Sequence, residues 1–136
     1  MQEITIKRRL SDEFLSNVLH TAAEGGIGYL ARARKAQVEK AASGDWIDDI
    51  LLAYEVKPRT DEGQAFADGD SRNDWQHIDH AKIAQAIERI LTEQLTNDTI
   101  REYISTAVLE DDSGNIDGEA ADCIVQIAAL GEIVFG

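Results

Sequence analysis

A chain of 136 residues with 43% hydrophobic content has the length of one domain and enough apolar material for a core, which excludes wholesale disorder and a second independent core. The charge is uneven: residues 1–44 hold seven basic and five acidic side chains, a net of +2, while residues 45–136 hold six and 21, a net of −15. So acidic a surface repels phosphate backbones and anionic lipid, which disfavours direct nucleic-acid binding and a membrane role and favours a protein partner with a basic surface.

In chain order, Gln2 to Arg8 reads as a short strand, with Ile4 and Ile6 on one side of the pleat. Ile4 and Ile6 precede Lys7, Arg8 and Arg9, the wrong order for a signal peptide, and no run of eighteen apolar residues follows. The single Cys123 fits a reducing compartment, so the expected location is the cytoplasm. Ser11 is placed to cap a helix over 12–24, whose Phe14, Leu15, Val18, Leu19 and Ala22 recur at helical spacing before Gly25 and Gly26 stop it. Residues 27–42 read two ways. The alternation from Ile27 to Arg34 permits a strand over 27–35, while the alanines and long charged side chains of 31–42 favour helix. We take the strand.

A strand is predicted over 49–57, with Ile50, Leu52, Tyr54 and Val56 on one face, stopped by Pro58. Residues 58–74 carry loop signals, and a short strand is expected through Trp75 to Ile78. Helices follow over 79–94, capped by Asp79, and over 98–109, opened by Asn97 or Asp98. The last, over 118–130 and capped by Asp117, is apolar on more than one face and should be central. Residues 131–136 are either a frayed extension or a closing strand. The sum is a single α+β domain over 1–136, a small, mostly antiparallel sheet packed with about four helices.

Two segments carry a resemblance. Ala23-Glu24-Gly25-Gly26-Ile27-Gly28-Tyr29, and Ala121-Asp122-Cys123-Ile124-Val125-Gln126 leading to Gly131-Glu132-Ile133-Val134-Phe135-Gly136, resemble segments of small, largely uncharacterised proteins of bacteriophages and other mobile elements. The matched segments cover about a quarter of the chain. Leu30 stands where an aromatic often follows the tyrosine, and Ala129-Leu130 where an apolar pair precedes the final Gly-Glu. The resemblance implies a phage or prophage origin and brings no activity with it.

Constellations with chemistry are sparse. His77 and His80, near Asp74 and Asp79, are the densest metal-capable group, but no cysteine is close, so no metal or other cofactor is expected. They support an alternative reading as a small metal-dependent enzyme or ligand-binding domain. Asp111 to Asp122 resembles a calcium loop, yet position 6 is Ile116 and position 12 is Asp122 rather than Gly and Glu, and a helix connection capped by Asp117 explains the same letters. Cys123 lies in the most apolar helix, where a buried, inert thiol is the usual outcome, so no catalytic residue is assigned. Arg32, Arg34, Lys35 and Lys40 form a small basic group beside the acidic bulk.

Trp46, Tyr54, Phe66 and Trp75 lie among carboxylates, either as core residues of the sheet or as anchors of an interface. Read as an interface, the candidate partner-binding residues are Trp46, Asp48, Asp49, Asp68, Asp70, Asp74 and Trp75. The expectation is an accessory protein that acts by binding a protein. Its sharper form is a DNA mimic that inhibits a host nucleic-acid-handling or defence protein. Self-association stays open.

Overall fold

The computed structural model describes residues 9–25, 31–58 and 63–134. The strand expected over 3–8, the start of the one over 27–35 and residues 135–136 lie outside these. Among the described residues, four α-helices and a three-stranded antiparallel sheet form the α+β architecture. The helices are α1 (Asp12–Gly25), α2 (His80–Thr92), α3 (Asp98–Glu110) and α4 (Gly118–Leu130). The strands are β1 (Ala31–Glu39), β2 (Ile50–Pro58) and β3 (Gln76–Asp79), in the order β1-β2-β3.

Each helix begins on a side chain that meets an otherwise orphaned backbone N–H. Phe14 N donates to Ser11 Oγ at 3.1 Å, Lys82 N to Asp79 Oδ1 at 2.9 Å, Ile100 N to Asn97 Oδ1 at 2.9 Å and Ala120 N to Asp117 Oδ1 at 2.8 Å. The caps expected at all four starts are therefore present. Gly131 ends α4 with φ +78°, a left-handed conformation that suits glycine.

The apolar faces of the helices point inward. Phe14, Leu15, Val18, Leu19 and Ala22 of α1 are buried, as are Ile83, Ile87 and Ile90 of α2 and Ile100, Ile104 and Ala107 of α3. Ala86 joins the α2 face, while Ala84 and Leu91 pack only partly against the core. α4 is central: it touches α1, α2, α3 and β3, and its Ala120, Ala121, Ile124, Val125 and Ile127 are buried on more than one side. Beyond it, Ile133 packs partly against the core and Val134 N donates to Gln126 Oε1 at 2.9 Å, with no strand as far as residue 134.

β1 runs to Glu39, through the segment where helix propensity competed, because pairing with β2 overrides an isolated preference. The face expected of β2 needs correction. Leu51, Ala53 and Val56 are buried, whereas Ile50 and Leu52 are only half-buried. The reason is a pair of register shifts. Lys35 and Gln37 of β1 pair with adjacent Tyr54 and Ala53, leaving Ala36 as an extra residue; Gln37 and Val38 then pair with Ala53 and Leu51, leaving Leu52 extra. Each bulge reverses the inward–outward alternation of its strand, so a strict period of two fails across it.

β3 stops opposite Ala53, two residues short of Leu51. Leu51 is fully buried, and side chains from two helices meet its backbone: its N–H donates to Ser16 Oγ at 2.8 Å and its carbonyl accepts from His80 Nε2 at 2.6 Å. Ser16 itself is 1% exposed. Replacing Ser16→Ala strands the Leu51 N–H and should cost about 1–3 kcal/mol, read as a lower midpoint in urea denaturation with an unchanged slope.

A rigid apolar tip on the first hairpin

Residues 40–49 join β1 to β2, and a dense set of short-range bonds fixes them. A turn closes with Gly44 N donating to Ala41 O at 3.2 Å, and Gly44 takes φ +77°. Ser43 Oγ accepts from Asp45 N at 3.2 Å and donates to Asp48 Oδ2 at 2.9 Å. Asp45 caps a single 3-10 turn, Trp46–Asp48, through Ile47 N at 3.2 Å. Behind the turn Asp49, 4% exposed, accepts from Ala41 N at 2.9 Å and from Lys40 Nζ at 3.4 Å. The Ala41 amide foremost, with the Lys40 ammonium, holds the Asp49 carboxyl below its ordinary range against the opposing effect of burial.

This framework presents two large apolar side chains to solvent, Trp46 at 51% and Ile47 at 63% exposure. Asp45 and Asp48, both exposed, flank them. The Trp46 ring lies 6.0 Å from the His20 ring of α1, and Lys35 Nζ stands 5.8 Å from its centroid. His20 in turn donates through Nε2 to Asp49 O at 3.1 Å, which ties the tip to α1.

The candidate residues do not form one patch. Trp46 and Asp48 share the tip, and Asp49 lies beneath it, withdrawn from the surface. Asp68, Asp70, Asp74 and Trp75 belong to the connection before β3, which starts opposite Val56 near the far end of β2. Arg34 and Lys35, consecutive on β1, project to opposite faces, and Arg34 Cζ stands 3.9 Å over the Trp75 ring while Lys35 faces Trp46. The two tryptophans are thus on opposite faces of the hairpin.

In the second group, Asp70 caps the 3-10 turn Ser71–Asn73 and pairs with Arg72, whose Nη2 lies 2.8 Å from Oδ2. That guanidinium holds the Asp70 carboxyl below its usual value and also covers the Phe66 ring at 4.0 Å. Asp68 accepts from Gln64 Nε2, and Asp74 is exposed. Tyr54, Phe66 and Trp75 are half-buried sheet and loop aromatics; among the four, Trp46 is the one presented outward.

The two histidines diverge. His77 is exposed and pairs across the sheet with Glu55, whereas His80 is turned to Leu51 O, its Nδ1 3.5 Å from Asp12 Oδ1. Among the described residues, no group of three or more His, Cys, Asp or Glu is placed to hold a metal ion. The four aspartates of 111–122 each have a partner. Asp111 accepts from Ser11 N and Oγ, Asp112 from Gly114 N, Asp117 from Ala120 N and Asp122 from Gln126 Nε2. Cys123 is 7% exposed, and burial pushes its thiol up, away from the reactive thiolate.

Ile47 was missed from sequence, where it reads as the start of an apolar run into a strand. The signal available was its place beside Trp46 between Asp45 and Asp48. Set against family models, curated proteins and solved structures, the chain matches none.

Because the folded Asp49 carboxyl sits below its ordinary value, its ion contributes stability that is fully present above that ordinary value and is lost as pH falls through the folded one. Asp49→Asn should therefore destabilise most near neutrality. Its deficit against the parent protein should shrink as urea titrations are taken from about pH 7 to about pH 3.

Proposed function

We propose that this is a protein-binding accessory factor that engages its partner through the first hairpin, with Trp46 and Ile47 as anchors and Asp45 and Asp48 as the charged rim. One observation carries the reading: a tightly bonded loop holds two large apolar side chains out in solvent. Aromatic anchors at the centre of an interface, ringed by polar groups, carry a disproportionate share of binding energy, and a preformed loop loses little entropy on docking. The net −15 of residues 45–136 favours a partner with a basic surface and speeds its approach. The resemblance to phage and mobile-element proteins suggests that this partner belongs to a host cell.

The DNA-mimic form of the proposal adds a demand on the carboxylates. Asp45, Asp70, Asp79, Asp112 and Asp117 each cap a helix or 3-10 turn, so their positions follow the starts of those elements. That favours recognition through the tip over recognition through a ladder of phosphate-like charges.

The test is quantitative capture followed by titration of the captured partner. Trp46→Ala should weaken binding by about thirtyfold or more, the effect of losing a hot spot of about 2 kcal/mol, with helix content unchanged by circular dichroism. Undiminished affinity in both Trp46→Ala and Ile47→Asp would remove the tip from the interface. In the same titration, association should slow as salt is raised from about 0.05 to about 0.5 M; a rate indifferent to salt rules out the mimic form.

A further inference from the structure

We propose that the outer edge of β1 is a second binding site, one that takes an extended peptide of alternating acidic and apolar residues from a partner as a fourth strand. Among the described residues β1 is an end strand, and no strand lies against its outer side. Residues 32–37 are exposed on both faces of the sheet. An unpaired edge presents a row of main-chain donors and acceptors, the template for strand addition. The regular part is residues 31–35, which pair without interruption with Tyr54–Pro58; the extra residue Ala36 ends it.

The two sides of this stretch differ in chemistry. Arg32 and Arg34 project to one face, where Lys57 lies opposite Arg32 and Glu55 opposite Arg34, paired with it at 3.0 Å. Three cations against one carboxylate leave that row positive, in a chain whose net charge is −13. On the other face, Ala33 borders a shallow depression lined by Ala22, Ala23, Tyr54 and Val56, with no polar lining. A strand laid along this edge sends alternate side chains to the two faces. Acidic residues at one parity meet Arg32 and Arg34, and apolar residues at the other pack beside Ala33 at the margin of the depression.

Charge also decides against two other occupants. A second copy of β1 would set arginine and lysine against arginine and lysine, which is destabilising across a strand pair. A polynucleotide extends beyond this short positive stretch into the acidic remainder, which repels it within a screening length of about 8 Å.

The experiment uses the full chain and a fluorescein-labelled ten-residue peptide alternating Glu and Val, followed by anisotropy. Saturable binding is expected, at least tenfold weaker for Arg32→Glu, whose exposed position opposite Lys57 should leave the circular dichroism spectrum intact. The same peptide N-methylated at alternate amides should lose binding, a comparison that needs no altered protein. The proposal is overturned by absence of peptide binding or by equal binding of the N-methylated peptide. Equal affinity in the charge-reversed variant, or tighter binding of a ten-nucleotide single strand, overturns it as well.

Discussion

At Leu51, where β2 outruns β3, a buried residue lacks a neighbour on the β3 side, and Ser16 of α1 and His80 of α2 supply the partners its backbone needs. Burial makes these bonds obligatory, since an unmet peptide group in a dry interior costs more than a bond gains in water. They also fix geometry. A serine one turn into α1 and a histidine at the first position of α2 can reach the same residue only if both helices cross β2 at one level. α4 then fills the space those helices and the sheet leave, which is why its apolar surface wraps around more than one side.

The acidic surplus has a second life inside the fold. Short carboxylates repeatedly end up where a helix or tight turn must begin, and there the negative charge also suits the helix dipole. The arginines of the C-terminal half do the complementary work on carbonyls. Arg101 donates to Thr96 O at 2.6 Å and Gln94 O at 3.0 Å in a connection where Gln94 and Thr96 both have positive φ, a strained state for a β-branched threonine. Arg89 reaches Gly131 O at 2.9 Å and so joins the end of α2 to the end of α4. Both also pair with a carboxylate, Arg89 with Glu93 and Arg101 with Asp98, and residues 45–136 keep their net −15 in contrast to the basic β1.

The helices were legible because capping and periodicity agree in each of them. Ser11, Asp79, Asn97 and Asp117 announce starts that the apolar stripes then continue. The strands were legible only in outline. Residues 36–39 have the composition of a helix and become strand by pairing with β2, and the bulges at Ala36 and Leu52 arise from that pairing rather than from any local signal. The candidate surface was half legible for the same reason. Trp46 and Asp48 stand out as an aromatic beside a carboxylate, but the burial of Asp49 beneath them depends on Ala41 and Lys40, and the separation of Trp46 from Trp75 depends on which way Arg34 and Lys35 face.

β1 contributes little to the core: Val38 alone among its described side chains packs partly against it, and the rest of 32–39 is exposed. A strand held mainly by one ladder of hydrogen bonds, with few apolar contacts behind it, opens locally at a free energy well below that of the whole fold. Among the described residues, apolar packing is therefore heaviest along α4 and thinnest along β1. Breathing of that strand exposes the Tyr54–Val56 segment of β2 while Leu51 stays anchored by two helices. Damage or proteolysis at this margin would trim the hairpin and spare the helical body.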